Sequence, residues 1–231
     1  QAAFAGHPLG QSILGTAKTV GGTTRDQMAD YFEKRYAPNN MSFVITGAFN
    51  KKQVIQALEQ YCGNWERVEA NRNQPTPQFN ALTRVTKRDE VHREHIALAL
   101  PAPPASDDWA TTADLLAYHL GAYTNSRLFW SVIQEGLADE ATASYYGFSD
   151  TGIFYIYVSA DPQNVPRVLD IVRQELEGLK AGVDTDALNR AKTKLGTALV
   201  ASGENSYSRF SQIVGNISTN TPFNTLEEEM A

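Results

Sequence analysis

Two runs rich in tyrosine and β-branched residues, 141–148 and 153–160, are separated by the turn-forming sequence Ser-Asp-Thr-Gly at 149–152. A short Gly-containing connection between two such runs predicts a β-hairpin. The paired strands must be antiparallel, because a parallel pair needs a crossover of a dozen residues or more. The hairpin therefore limits this part of the chain to folds that contain an antiparallel sheet.

One strand and two helices are predicted before the hairpin. The apolar run 91–100 predicts a strand, and Ser106 or Asp107 is predicted to cap the helix that follows it. A shorter helix is predicted over 127–133.

Further helices are predicted after the hairpin. Asp161-Pro162 is expected to open a long helix, because proline suits the first helical position. Its apolar stripe consists of Val165, Val168, Leu169, Val172, Leu176 and Leu179. Asp184 or Thr185 caps the next helix, and a last helical segment covers about 205–215. Hairpin-linked strands with gathered helices predict an α+β fold, in which helices pack on one face of a largely antiparallel sheet.

The first 62 residues predict a smaller unit. Thr23 or Thr24 caps a helix, the apolar run 41–49 predicts a buried strand, and 51–62 returns to the helical period. A helix–strand–helix unit of about 40 residues is too small to bury a stable core alone. Its open sheet edge invites pairing, so self-association through the strand 41–49 is expected.

A polar segment separates the two parts. Residues 64–88 contain Asn71 to Gln78, a stretch of asparagine, glutamine and proline with the composition of a linker. The predicted organisation is a first-domain remnant over 1–63, a linker over 64–88 and a second domain over 89–231. Because the chain begins with Gln1, it is expected to be a piece of a longer protein.

Composition excludes several classes of protein. The net charge is −6 and the pI is near 5.3, which argues against a nucleic-acid-binding protein with a basic face. No apolar run approaches the roughly 18 residues that span a bilayer, so no membrane span is predicted. Cys62 is the only cysteine and is expected to be a buried structural thiol. Exported and cytoplasmic locations are both compatible with the sequence.

Several short sequences occur along the chain in one order: Gly6-His7-Pro8-Leu9-Gly10, Ile13-Leu14-Gly15-Thr16, Tyr36-Ala37-Pro38-Asn39-Asn40-Met41, Val44-Ile45-Thr46-Gly47, Ser126-Arg127-Leu128-Phe129, Gly136-Leu137-Ala138 and Asp150-Thr151-Gly152-Ile153-Phe154. Together they resemble the zinc peptidase family of pitrilysin, insulinase and the mitochondrial processing peptidase. The resemblance implies two similar α+β domains joined by a linker, with the zinc motif HxxEH in the first. This chain would then hold the end of the first domain and most of the second, "inactive" domain.

The histidines do not predict a metal site. They are His7, His92, His95 and His119, and no HxxEH is present. His92 and His95 fall in a predicted strand, where their odd spacing places them on opposite faces. No catalytic or metal-binding residue is therefore assigned, and the resemblance places any zinc in the parent protein or a partner. His7 is expected to organise the glycine-rich loop through hydrogen bonds.

The resemblance also implies an arginine and a tyrosine that contact the substrate and stabilise the reacting carbonyl. Gln134, or its neighbour Ile133, falls at the arginine position, and Asp139 falls at the tyrosine position. An ionised carboxylate cannot donate a hydrogen bond to an oxyanion, so the pair looks lost. Gln134 can still donate to a peptide carbonyl. Arg127 is expected to form an ion pair at a helix terminus or between domains.

The tyrosines of the hairpin allow two interpretations. Tyr145, Tyr146, Tyr155 and Tyr157 are predicted to form cross-strand aromatic pairs, with a peptide-binding groove as the alternative. The function predicted from the resemblance is the non-catalytic portion of a pitrilysin-like zinc metalloendopeptidase that helps to enclose a peptide or unfolded polypeptide. The alternative is a non-catalytic partner subunit or structural core protein of the same family.

Overall fold

The computed structural model describes residues 1–69, 75–122, 124–225 and 227–228. The chain divides into a smaller unit, 1–82 with 204–217, and a larger unit, 83–203 with residues from 218 onward. The domain limits expected from composition, 1–63, 64–88 and 89–231, stay a prediction. Residues 70–74, within the predicted linker, lie outside the described residues.

The smaller unit begins with helices. They are α1 (Ala17–Gly21), α2 (Arg25–Arg35) and α3 (Lys51–Cys62). Thr24 caps α2, as predicted: its hydroxyl accepts from the Gln27 N–H at 3.3 Å, and its N–H donates to the Gln27 side chain at 3.0 Å. This reciprocal pair satisfies two backbone positions at the start of the helix.

The predicted buried strand over 41–49 is wrong. Residues 41–46 have no regular secondary structure, and Phe43 and Ile45 are exposed. A strand exists only where a second strand accepts and donates its backbone hydrogen bonds. None of the described residues of the smaller unit forms such a strand. Cys62, expected to be buried, is only partly buried.

The larger unit contains the sheet. Its strands are β1 (Glu94–Ala102), β2 (Ala138–Gly147) and β3 (Gly152–Ala160). The strand order is β1-β3-β2, and both pairs are antiparallel. The predicted hairpin is confirmed, and the Phe148 N–H donates to the Thr151 carbonyl across its turn at 2.8 Å.

The first strand differs from its predicted limits. It begins at Glu94 rather than at residue 91, and it continues through Pro101. Proline is tolerated here because β1 is an edge strand of the described sheet, where one side needs no ladder hydrogen bonds. His92 consequently lies before the strand.

Alternation along β3 separates the two faces of the sheet. Phe154, Ile156 and Val158 are buried, whereas Tyr155 and Tyr157 between them are only partly buried. The buried face packs against α4 (Ala110–Gly121), a π-helix (Phe129–Ile133) and α5 (Val165–Lys180). These helices contribute Ala117, Leu120, Val132, Val168 and Val172 to the core. The predicted α+β fold is confirmed.

The remaining helices are α6 (Thr185–Gly203) and α7 (Ser206–Thr219). Asp184 caps α6, as predicted, because its carboxylate accepts from the Ala187 N–H at 2.9 Å. The start predicted for α5 at Pro162 is wrong. Asp161 instead organises a turn, in which its carbonyl accepts from the Asn164 N–H at 2.9 Å, and the helix begins after it.

Candidate functional site

Gln134 and Asp139 lie on either side of the tight connection between the π-helix and β2. Gly136 adopts a φ of 67°, a conformation that favours glycine and lets the chain reverse direction. The Gln134 N–H donates to the Phe129 carbonyl at 2.8 Å, which closes the π-helix, and the Gln134 side chain is exposed. Within the described residues, no hydrogen bond joins the side chains of Gln134 and Asp139.

Asp139 is held by an ion pair at a β-bulge. The pairing of β2 with β3 shifts between Ala138 and Glu140, so Asp139 has no partner in the regular ladder. Its carboxylate accepts from Arg93 Nε at 2.9 Å and from Nη2 at 3.1 Å. The same guanidinium lies 3.9 Å from the Asp161 carboxylate. Asp139 therefore presents an occupied acceptor and no donor.

Arg93 was not identified from the sequence. Arg93 and Asp139 are 46 residues apart in the sequence, so no local sequence pattern indicates that they pair. The role of Gln134 and Asp139 as substrate contacts stays a prediction, but the structure shows what Asp139 does in the fold: it ties the start of β2 to the segment before β1.

The Ser-Arg-Leu-Phe sequence fixes the π-helix. The Ser126 hydroxyl accepts from the Phe129 N–H at 3.2 Å, and Leu128 is fully buried. The Arg127 guanidinium pairs with the Glu175 carboxylate of α5 at 2.5 Å, with both side chains partly buried. The expected ion pair of Arg127 is confirmed, and it forms inside the larger unit.

His119, near the end of α4, is partly buried, and its Nε2 atom is buried without a hydrogen-bond partner among the described atoms. Burial lowers the pKa of His119, and the positive charges of Arg127 and Arg190 lower it further. Both effects favour the neutral imidazole over the charged one.

A groove of about 680 Å³ runs along β2 and is lined by residues from both faces of that strand and by α4. The residues that line it from the sheet face opposite the core are Glu140, Thr142, Ser144, Tyr146, Tyr155 and Tyr157. Asp114 and Tyr118 of α4 form one wall. The Tyr146 and Tyr155 rings lie 6.3 Å apart in an edge-to-face arrangement.

The tyrosines thus divide between the two sequence interpretations. Tyr145 packs against the core, where its hydroxyl donates to the Pro103 carbonyl at 2.8 Å, and it also lines the groove. Tyr146, Tyr155 and Tyr157 line the groove, and the cross-strand pairing of Tyr146 with Tyr155 is confirmed. The His95 ring also faces this side, with Nδ1 2.7 Å from the Tyr157 hydroxyl.

The groove combines aromatic rings with donors and acceptors. Burial raises the pKa of Tyr155, and the neighbouring Tyr157, Tyr146 and Glu140 raise it further, so its hydroxyl remains a donor. Partial loss of hydration raises the pKa of Asp114, although the residue keeps contact with water. Lys194 lies at the rim, with Nζ 3.1 Å from the Thr124 carbonyl and 5.5 Å from the Tyr118 ring centre.

One long side of the groove is the free edge of β2. In the described sheet β2 pairs only with β3, so the peptide groups along its other side lack strand partners. Such an edge can add a strand from another polypeptide. Rings, hydroxyls and an open edge together provide the contacts that an extended peptide uses.

The residues of this chain do not fit a catalytic zinc site, which needs about three convergent protein ligands. Over the described ranges, no three His, Cys, Asp or Glu side chains come together in a way that could hold a metal ion. His92 precedes β1 while His95 contacts Tyr157. His7 organises its loop, as predicted: Nδ1 accepts from the Leu9 N–H at 3.1 Å, and Nε2 lies 2.9 Å from the Pro75 carbonyl.

Among the described helices, none is long and apolar enough to cross a membrane.

Comparison with known proteins gives concordant matches. Residues 23–195 match the family model described as the peptidase M16 inactive domain. The chain is 29% identical over 213 residues to the mitochondrial-processing peptidase subunit beta of Saccharomyces cerevisiae, a match that covers 84% of this chain and 46% of that protein. It is 28% identical over 201 residues to an uncharacterized zinc protease of Streptomyces coelicolor, covering 83% and 44%. The chain therefore spans about half the length of these relatives.

Solved structures share the fold. A peptidase M16 inactive domain from Pseudomonas fluorescens superposes with a TM-score of 0.85 at 20% identity, covering 99% of this chain and 56% of that one. A chain of complex III2 from Candida albicans, with Inz-5 bound, superposes with a TM-score of 0.87 at 21% identity, covering 99% and 57%.

Proposed function

Because the chain belongs to the peptidase M16 family, in its inactive-domain part, we propose that it is the non-catalytic portion of a zinc metalloendopeptidase and helps to enclose a peptide substrate. The zinc and the chemistry would come from a separate domain or partner subunit, since the side chains described here do not fit a zinc site. The contribution of this chain is then to bind and orient an extended polypeptide.

The observation that carries the proposal is the groove along β2. Its hydroxyl groups can donate to peptide carbonyls whatever the side chains of the peptide are, and the Tyr146 and Tyr155 rings offer apolar contact. The free edge of β2 supplies backbone groups for a strand-like peptide. Contacts of this kind hold unfolded segments with little sequence preference.

A non-catalytic partner subunit or structural core protein is the second candidate. It is favoured by the state of Asp139, whose carboxylate is engaged by Arg93 and offers no donor to a reacting carbonyl. Gln134 supplies a neutral amide where the resemblance implies an arginine. Both candidates require this chain to contact another polypeptide, either a peptide substrate or a partner subunit. They differ in whether a peptidase centre faces the groove.

Peptide binding tests the proposal directly. Reduced, carboxymethylated α-lactalbumin with a fluorescent label is a permanently unfolded probe, and its anisotropy is expected to rise with added chain. The double variant Tyr146→Ala/Tyr155→Ala is expected to weaken binding about tenfold or more, because aromatic anchors dominate such contacts. Tyr207→Ala removes an exposed tyrosine of the smaller unit and serves as the matched control. Absent binding, or equal loss in both variants, would contradict the proposal.

A second experiment separates the two candidates. Asp139→Tyr with Gln134→Arg restores the residue types of the pair that the resemblance implies. In an assembly with a zinc-carrying domain that acts alone, the double variant is expected to raise the rate of peptide hydrolysis, since an oxyanion donor contributes about 2.7–4 kcal/mol in well-studied sites. An unchanged rate in such an assembly would mean that the pair is not located at Gln134 and Asp139. A variant that has no effect only where a partner subunit already supplies the pair favours the partner-subunit candidate.

A further inference from the structure

Two carboxylates line the groove along β2 without a cation to pair with. Glu140 lies partly buried on the sheet face opposite the core, and Asp114 lies on α4. Within the described residues, neither side chain takes part in an ion pair or a hydrogen bond. A carboxylate that loses part of its hydration without gaining a partner is destabilised. Each of the two therefore favours a ligand that supplies a positive charge.

The groove's own cation is already engaged. Among the described residues of its lining, Lys194 alone is positively charged. Its Nζ lies 3.1 Å from the Thr124 carbonyl, 3.2 Å from the Thr124 hydroxyl and 5.5 Å from the Tyr118 ring centre. Loss of hydration raises the pKa of Asp114, and no positive charge among the described residues acts against this effect. Two carboxylates and one ammonium thus leave the groove with a charge of −1.

Tyrosine rings lie beside Glu140. The Tyr146 and Tyr155 rings lie 6.3 Å apart with an angle of 63° between them, and Tyr157 follows Tyr155 on the same face of β3. Burial raises the pKa of Tyr155, Tyr157 and Tyr146 raise it further, and the Glu140 carboxylate is close enough to add to the effect. A cation is attracted both by ring faces and by a carboxylate. The planar guanidinium of an arginine can stack on such rings while it donates hydrogen bonds to Glu140.

The two carboxylates lie on opposite sides of a strand added to the free edge of β2. Glu140 is on the face opposite the core, whereas Asp114 belongs to α4, which packs on the core face through Ala117 and Leu120. Successive side chains of a strand point to opposite faces of the sheet. Two peptide residues separated by an odd number of positions are therefore needed to reach both carboxylates.

The separation follows from the level of Asp114 along β2. Gly121 of α4 lies against the backbone of β2 at residue 143, and Asp114 is seven residues earlier, about 10.5 Å along the helix axis. That distance equals about three strand residues, which places Asp114 near the level of residue 140 or of residue 146. The pKa of Tyr145 decides for the second end, since burial raises it and nearby carboxylates, among them that of Asp114, raise it further. Tyr145 is five residues from Glu140, about 17 Å along β2.

We infer that the groove selects an extended peptide that carries two cationic side chains five residues apart, one beside Glu140 and one beside Asp114. The inference rests on the function proposed for the groove and names the class of substrate that it takes. The spacing is the same whichever way the peptide runs along β2. With a spacing of four residues, both cations point to one face of the sheet, and only one of them meets a carboxylate.

Two short peptides test the inference on the whole chain. Each has uncharged ends, a neutral fluorophore at one of them, and a sequence of threonine and serine with two arginines. The arginines are five positions apart in one peptide and four positions apart in its isomer. By fluorescence anisotropy, the five-spaced peptide is expected to bind at least about tenfold more tightly, since it gains a second contact between a cation and a carboxylate. Because the two peptides have equal charge and composition, the general attraction of a chain of net charge −6 for cations cancels.

Isosteric variants identify the groups responsible. Glu140→Gln and Asp114→Asn are each expected to lower the affinity for the five-spaced peptide at least about fivefold and to abolish its advantage over the isomer. Asp150→Asn is the matched control, because it removes the same charge from the hairpin turn, outside the lining of the groove. It is expected to change the affinity by less than about twofold. Glu140→Lys is expected to prefer a peptide in which glutamate replaces one of the two arginines.

The outcomes separate this inference from the function on which it rests. Equal affinities for the two arginine peptides, or an affinity unchanged by Glu140→Gln or by Asp114→Asn, would overturn the inference and leave the proposed function standing. Binding of labelled α-lactalbumin but of neither arginine peptide would do the same. Absence of binding by all three probes would contradict the proposed function and this inference together.

Discussion

Gly121, in the last turn of α4, lies where the helix meets the backbone of β2. A Cβ at this position would lie 2.0 Å from the Ala143 amide nitrogen and 2.6 Å from the Ala143 Cβ. The obstructing atoms belong to a strand paired with β3 and cannot rotate away. Gly121→Ala therefore forces α4 to move away from the sheet by about 1 Å or more in a closely packed core.

The expected loss of stability is large for one methyl group. Overpacking of a core costs about 1–3 kcal/mol, and contact with backbone atoms places this case at the upper end. Alanine favours helix over glycine by about 1 kcal/mol, which offsets part of the cost. The net decrease in the free energy of unfolding is about 2 kcal/mol. For a unit of this size it corresponds to a decrease in Tm of about 8 °C.

Urea unfolding followed by near-ultraviolet circular dichroism measures this effect. Gly203→Ala is the control, because nothing lies within 4 Å of a Cβ built on Gly203 at the end of α6. It is expected to leave the midpoint unchanged or to raise it slightly. Equal midpoints for Gly121→Ala and Gly203→Ala would refute the reasoning that close approach of α4 to β2 requires glycine.

Three further results are expected. Val172→Ala is expected to lower the free energy of unfolding by about 1–5 kcal/mol in urea titrations, because the Val172 side chain is buried in the core. Arg93→Ala is expected to lower the free energy of unfolding by less than about 1 kcal/mol, because the ion pair with Asp139 is partly exposed and is screened by salt. Because the folded pKa of His119 is lowered below 6.5, the unfolded chain binds a proton that the folded chain does not. The contribution of neutral His119 to the free energy of unfolding is therefore present above pH 6.5 and decreases as the pH falls below it. His119→Gln is expected to flatten this pH dependence when unfolding is measured at neutral and at mildly acidic pH.

Each of these has its own check. Val200→Ala, at an exposed position, is expected to leave the unfolding midpoint unchanged, and a loss equal to that of Val172→Ala would mean that the helix face is misassigned. High salt is expected to remove the effect of Arg93→Ala. An unaltered pH dependence in His119→Gln would show that another group is responsible.

The larger unit was predictable because its pattern and its packing agree. Alternation along 153–160 marks the buried residues Phe154, Ile156 and Val158, and the stripe of α5 marks Val168 and Val172. The apolar face of each of these elements packs against partners within the chain. The sequence pattern therefore identifies the buried residues, since the side chains at its apolar positions are the ones that pack in the core.

The smaller unit was not predictable in the same way. The apolar run 41–49 has the composition of a buried strand, but a strand depends on a partner that composition does not supply. The ion-pair partners around the candidate site were not predictable for a related reason. The pairs of Arg93 with Asp139 and of Arg127 with Glu175 join residues 46 and 48 positions apart, so only the folded chain reveals them.

The central position of β3 has a consequence for amide hydrogen exchange. Its N–H groups donate alternately to β1 and β2, so each is released only when one of two ladders separates. On β1 and β2, the amides that point away from β3 have no strand partner in the described sheet and should exchange at every second residue. Native-state exchange should therefore show continuous protection over 152–160, alternating protection on both neighbours and fast exchange over 41–46. The β3 amides would then report the global free energy of unfolding of the larger unit.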